Sequence, residues 1–68
     1  MEERRYSVPG VSCEHCRAAI TRELDAVAGV EQVDVDLDAK LVTVRGSRLA
    51  DPQLLAAIDE AGYDAEVV

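Results

Sequence analysis

The chain has 68 residues, with seven Lys and Arg against fourteen Asp and Glu, a net charge of −7 and 49% apolar residues. A chain of ~60 residues buries only about 60% of its unfolded surface, so this length holds one small core. The acidic balance excludes a nucleic-acid partner, which needs cations to neutralise phosphates, and two tyrosines without Phe or Trp make no base-stacking platform.

Residues 4–8, RRYSV, alternate with Tyr6 and Val8 on one face and read as a short strand. Pro9 and Gly10 end it, because proline cannot donate to a ladder and glycine permits a turn. From about Glu14 to Ala28 the apolar residues Cys16, Ile20, Leu24 and Val27 fall at helical spacing, with Gly29 placed as a C-terminal cap. VEQVDVDL, 30–37, changes period: Val33, Val35 and Leu37 point one way, Asp34 and Asp36 towards water. DAK, 38–40, is a hairpin turn, and LVTVR follows as a strand with Val42 and Val44 inward. Asp51 as N-cap and Pro52 in the first turn start a second helix. Its stripe is Leu54, Leu55, Ile58 and Ala61, and Gly62 closes it. YDAEVV, 63–68, is the final strand. The order β-α-β-β-α-β makes two split βαβ units, packed economically as one antiparallel sheet with both helices on one face.

Cys13 and Cys16 are the only cysteines. A disulfide between them closes too small a loop to stabilise the fold much. They therefore read as reduced, functional thiols in a cytoplasmic compartment. No run approaches the ~20 apolar residues of a membrane span, and no secretory signal opens the chain. Starting at Met1 and ending at Val68 without a linker, the chain reads as a stand-alone protein with one domain, 1–68. The alternative is a domain excised from a larger protein.

The spacing alone fits a redox pair, half a zinc site, or a complete two-sulfur site. Placement discriminates. Cys13 falls in the loop after the first strand and Cys16 in the first helical turn, where unpaired amides and the helix dipole favour negative charge. A thiolate is the metal-binding species, and a helix N-terminus lowers a thiol's pKa towards it. The sole histidine, His15, lies within the motif, so one chain cannot supply the four ligands of a closed zinc site. Two soft sulfurs suit a metal of low coordination number, Cu(I) first on softness.

GVSCEHC at 10–16, with AGV at 28–30 and AGY at 61–63, resembles the heavy-metal-associated domain family over about Arg4 to Val68. That resemblance implies a ferredoxin-like α+β sandwich, a four-stranded antiparallel sheet under two helices. It also implies a non-enzymatic Cu(I) chaperone, with Cys13 and Cys16 as ligands and transfer by ligand exchange to a partner CxxC. The implied partner is the soluble domain of a copper-transporting P-type ATPase, and a copper-responsive repressor is a second. The chain departs from the family pattern at Val11, where a methionine usually packs the loop. Ser12 stands where zinc-exporting relatives often carry aspartate, which favours copper.

Each residue also has a plainer role. The cysteines read as a buried pair of small hydrophobes only if the neighbouring glycine and polar residues are ignored. His15 is a candidate third ligand, a partner contact, or a bystander outside the metal shell; it is also available where two chains share one metal as a homodimer. Tyr63 packs at the start of the last strand, and by resemblance it lies near the metal loop and shields it. Glu14 and Arg17 are flanking charges of little energetic weight. The competing functions are a thiol-disulfide oxidoreductase using the same cysteines and a zinc- or mercury-binding domain of a P-type ATPase. Against the first, thioredoxin-like folds need more chain, and no tryptophan precedes the motif.

Overall fold

Six elements follow in the expected order: β1 (Glu2–Ser7), α1 (Glu14–Asp25), β2 (Val30–Asp36), β3 (Leu41–Gly46), α2 (Asp51–Glu60) and β4 (Glu66–Val67). The structure, a computed structural model, describes residues 2–68. Met1, with which the expected 1–68 domain begins, lies outside the described residues. The strands form one sheet in the order β2-β3-β1-β4, every pair antiparallel.

Alternation decides which side chains meet the helices. Tyr6 from β1, Val35 from β2, and Val42 and Val44 from β3 pack with Ile20 and Leu24 of α1 and Leu54 and Ile58 of α2. Each such burial stabilises the fold by roughly 1.5–3 kcal/mol for a Val, Leu or Ile side chain. The opposite face is wet, with Asp34 and Asp36 exposed as expected and Arg45 beside them. There Arg45 donates to Glu3 across the β1–β3 ladder.

Several boundaries differ from the sequence expectation. β1 begins at Glu2, because Glu2 and Glu3 pair with Gly46 and Arg45, a stretch that carries no apolar alternation. α1 ends at Asp25, not Ala28. The amides of Ala26 and Val27 bond to carbonyls three residues back, tightening the last turn out of the helix. Gly29 is therefore not the helix cap. At φ +90 it lets the chain pass so close to the loop after β3 that a Cβ would lie 2.3 Å from the Ser47 oxygen, while the Ser47 amide donates to its carbonyl. A bulge between Val30 and Gln32 flips the parity of β2. Val30 thereby joins Val33 and Val35 against the core, although strict alternation separates them.

α2 is capped by Ala50, whose extended backbone precedes Asp51 as the first helical residue. Asp51 does not cap, because its carboxylate is taken up elsewhere. It accepts from the Tyr6 hydroxyl at 2.7 Å, and Arg4 Nε lies 3.5 Å from the same oxygen, an ion pair too long for a hydrogen bond. The last strand is two residues, not six, because the chain spends Tyr63 to Ala65 leaving the helix and pairs only Glu66 and Val67 with Ser7 and Tyr6.

Candidate metal centre

Cys13 occupies the N-cap position of α1 in an extended conformation (φ −152, ψ 172). Its carbonyl accepts from the amides of Cys16 and Arg17, which starts the helix. A capping residue ordinarily turns its side chain onto the free amides of the first turn. Cys13 makes no such bond, and its sulfur stays exposed. Cys16 is the third helical residue and faces inward, only 8% exposed. One thiol is thus outside and one inside, with their sulfurs 3.5 Å apart.

Tyr63 closes the inner side. Ala61 ends α2, Gly62 follows at φ +93, and the amides of Gly62 and Tyr63 donate to the carbonyls of Asp59 and Ile58. This is the Schellman arrangement, which needs a left-handed residue and places the next side chain back against the helix. Tyr63 therefore packs on the core edge and over Gly10, where a Cβ would come within 3.3 Å of its ring. The Cys16 thiol is lowered to about 6 from an ordinary 9.0, chiefly by the Tyr63 hydroxyl, then by the Ser12 backbone amide and Cys13, with burial opposing. The same contact raises the Tyr63 phenol. The lowered value favours the thiolate form of Cys16.

The loop before the thiols is fixed from below. Val11 is fully buried, its side chain plugged into the core, and Lys40 of the β2–β3 turn donates from Nζ to the Val11 carbonyl at 2.8 Å. Ser12 is exposed. His15 is exposed on the first turn of α1, and Arg17 is engaged by Glu14 one helical turn away. Among the described residues no group of three or more His, Cys, Asp and Glu converges, so no further side chain of these types joins the two sulfurs. A surface groove of about 690 Å³ between α1 and β2 is lined by residues such as Arg17, Arg22 and Asp34 and includes neither thiol. Ligand chemistry, not hollow shape, marks the site.

Sequence reading brought Cys13, Cys16, Val11 and Tyr63 into one neighbourhood, and they are neighbours here. It missed Lys40. The available signal was a lysine at the last place of a four-residue turn, where a left-handed residue is wanted.

The heavy-metal-associated domain family matches residues 5–64. Copper chaperone CopZ of Staphylococcus aureus (strain JH9) is 36% identical over 66 residues, spanning 94% of this chain and 97% of that protein. Heavy metal-associated isoprenylated plant protein 31 of Arabidopsis thaliana is 38% identical over 60 residues, 88% of this chain, and the chain spans only 43% of that longer relative. Two solved structures superpose closely. A CopZ metallochaperone has a TM-score of 0.89 at 34% identity, covering 96% of this chain and 100% of its own. The Atx1-Cu(I)-Ccc2a complex has a TM-score of 0.86 at 25% identity, covering 100% of this chain and 96% of its own.

Proposed function

The chain belongs to the heavy-metal-associated domain family, and from that premise we propose that it carries Cu(I) between Cys13 and Cys16 and hands it to a partner bearing a matching CxxC pair. It acts as a carrier, with no reaction of its own to catalyse, and residues 1–68 form a single domain of this kind.

One observation carries the reading: two sulfurs meet at a helix N-terminus with no further His, Cys, Asp or Glu side chain joining them among the described residues. Soft thiolates select soft cations, and two ligands suit Cu(I) while leaving zinc short of its four. Metal–sulfur bonds of about 2.3 Å allow two ligands to stand up to about 4.6 Å apart. The observed 3.5 Å reaches that span by rotation of the exposed Cys13 side chain, with Cys16 fixed in the helix. Metal binding ordinarily requires a thiol to lose its proton, and the lowered Cys16 value eases that loss. In this reading His15 stays outside the metal shell.

Exposure on the Cys13 side fits delivery. A partner thiolate attacks the bound ion there and makes a transient three-sulfur arrangement. One original sulfur then leaves, and the ion's oxidation state is unchanged throughout. The soluble CxxC domain of a copper-transporting P-type ATPase is the partner class of choice, supported by the likeness to the Atx1-Cu(I)-Ccc2a complex. A cytoplasmic setting, where thiols stay reduced, suits a carrier of this kind.

The test is an anaerobic Cu(I) titration of the reduced protein against a chromophoric competitor. Wild type takes one ion per chain, and Cys13→Ser and Cys16→Ser each lose tight binding. Tight binding kept by both serine variants would overturn the assignment.

A further inference from the structure

β2 ends the sheet order β2-β3-β1-β4, so β3 is its one sheet neighbour among the described residues. Alternate residues of an edge strand point their N–H and C=O groups away from that neighbour, where a further strand can pair with them. From Val33 to Asp36, beyond the bulge, β2 is regular, with Val33 opposite Val44 and Asp36 opposite Leu41. The groove of about 690 Å³ runs along this edge, with Val33, Asp34 and Val35 on one wall and α1 on the other. A second groove, about 390 Å³, shares Arg17, Asp34 and Val35 with the first and continues to Asp38. Neither includes a thiol, so an occupant leaves the sulfurs free.

The charge along the edge is not balanced from within the sheet. Across the β1–β3 ladder Glu3 faces Arg45, an acid against a base. Across the β2–β3 ladder Asp34 faces Thr43 and Asp36 faces Leu41, and neither aspartate joins an ion pair among the described residues. Asp25 and Asp38 add further carboxylates to the grooves, while Arg17 is held by Glu14, leaving Arg22 as the one unpaired cation facing them among the described residues. Acidic side chains on an edge ordinarily keep copies of a chain apart. A second β2 would set its own Asp34 and Asp36 against these, and like charges placed opposite each other are destabilising. A segment of opposite charge meets no such barrier. Side-chain alternation then fixes its pattern. Its basic residues lie on the Asp34–Asp36 face, and the residues between them turn towards α1, where the small Ala18 and Thr21 leave room for apolar side chains.

We propose that the β2 edge is a docking site for an extended basic segment of a partner polypeptide, which adds a strand to the sheet with Lys or Arg against Asp34 and Asp36 and apolar residues towards α1. Main-chain hydrogen bonds supply the affinity, and the side-chain pattern supplies the specificity. Docking of this kind needs no metal and holds whether or not the thiols carry Cu(I).

The probe is a short peptide, blocked at both ends, in which Lys alternates with Val and Thr. It is titrated into the reduced, metal-free, isotope-labelled protein and followed by NMR. Amide shifts are expected at residues 33–36 and on the facing side of α1, with slowed hydrogen exchange at alternate β2 amides. Two N-methylated forms of the peptide keep its charge, one methylated at the Lys positions and the other between them. The form whose methyl groups point at β2 is expected to bind roughly 10-fold or more weakly, having lost its donors, and the other to bind like the parent. Asp34→Asn combined with Asp36→Asn keeps an oxygen for the Asp38 and Ala39 amides and is expected to weaken binding by roughly 3- to 10-fold, the size of two exposed ion pairs. Unshifted β2 amides at millimolar peptide, equal binding of the two methylated forms, or full affinity in the double variant would each overturn the proposal. Shifts at β2 that depend on protein concentration without peptide would make a second copy the occupant and overturn it as well. A protein that docks the peptide and fails to bind Cu(I) overturns the carrier function alone.

Discussion

Tyr6 and Tyr63, the two tyrosines of the chain, each aim a hydroxyl at an acidic group in the first turn of a helix belonging to the other half of the βαββαβ order. Tyr6 on β1 donates to Asp51 at the start of α2, and the Tyr63 hydroxyl, after α2, is the main influence lowering the Cys16 thiol at the start of α1. The Tyr6 ring is fully buried, and the carboxylate it meets is shared with the Arg4 guanidinium. Tyr63 lies at the core edge, and the sulfur it meets has a second sulfur beside it and only neutral donors around it: the phenol, the Ser12 amide and the Cys13 thiol. The nearby cations are occupied, Arg17 by Glu14 and Lys40 by the Val11 carbonyl. A carboxylate paired with a cation is a finished contact. A thiolate stabilised by neutral dipoles is still open to a metal ion, which meets no competing charge when it arrives. The same device fastens one end of the molecule and keeps the other end ready.

The comparison is tested most strongly at its structural end. Tyr6→Phe removes the donor from a carboxylate that keeps Arg4 and partial solvent, so the cost falls at the lower end for a bond to a charged group, about 1.5 kcal/mol. For a chain of this size that lowers the unfolding midpoint by roughly 6–12 °C. Cu(I) affinity should not change. A Tyr6→Phe protein with weakened metal binding would mean that the two ends are coupled and that the division drawn here is wrong.

Gly62→Ala comes next. No atom lies within 4 Å of the added methyl, so the cost is the left-handed backbone alone, about 1 kcal/mol. Because Gly62 sets the turn that delivers Tyr63, this variant should also raise the Cys16 titration point, which Tyr6→Phe should leave in place. Following thiolate absorbance against pH in both proteins separates the two effects. An unmoved Cys16 in Gly62→Ala would show that Tyr63 finds the sulfur without the Schellman turn.

The features that matter here differ in how local their causes are. The Val33–Val35 and Val42–Val44 alternations, the helical spacing of Ile20 and Leu24, and Cys13 with Cys16 are short-range patterns, and each was legible in the sequence. Asp51 was misread as a cap because its true partner, Tyr6, is 45 residues away. Gly29 was misread for the same reason, its neighbour Ser47 arriving from the far end of the β2–β3 hairpin. Tyr63 was placed near the metal loop by resemblance, but its influence on Cys16 depends on how α2 ends. Lys40 was read only as part of a turn, since nothing in DAK says that its ammonium reaches Val11. Propensity and spacing define elements; the contacts that tune the thiols arise only when those elements meet.

Tyr63→Phe is the smallest change and the sharpest for the functional end. The ring, its packing over Gly10 and the turn before it are all retained, so the unfolding midpoint at about pH 5, where the thiol is protonated in both proteins, should move less than in Gly62→Ala. Cys16 loses its principal donor, and its titration should climb from about 6 towards the ordinary 9.0. The pH dependence of stability carries the same signature. A thiol whose folded value is depressed contributes stability that is complete above the unfolded value and is lost as pH falls through the folded one. The reduced, metal-free wild type should therefore gain stability between pH 6 and 9. Above about 10 the trend reverses, as the raised phenols of Tyr6 and Tyr63 resist ionising in the fold. In Tyr63→Phe the gain between pH 6 and 9 should shrink and begin at higher pH, and Cu(I) binding should weaken most at the acidic end, where protons now compete better for Cys16. Denaturant unfolding of both proteins across that range reads the difference. Equal slopes would place the low Cys16 value with the Ser12 amide and the helix start, leaving Tyr63 as packing alone.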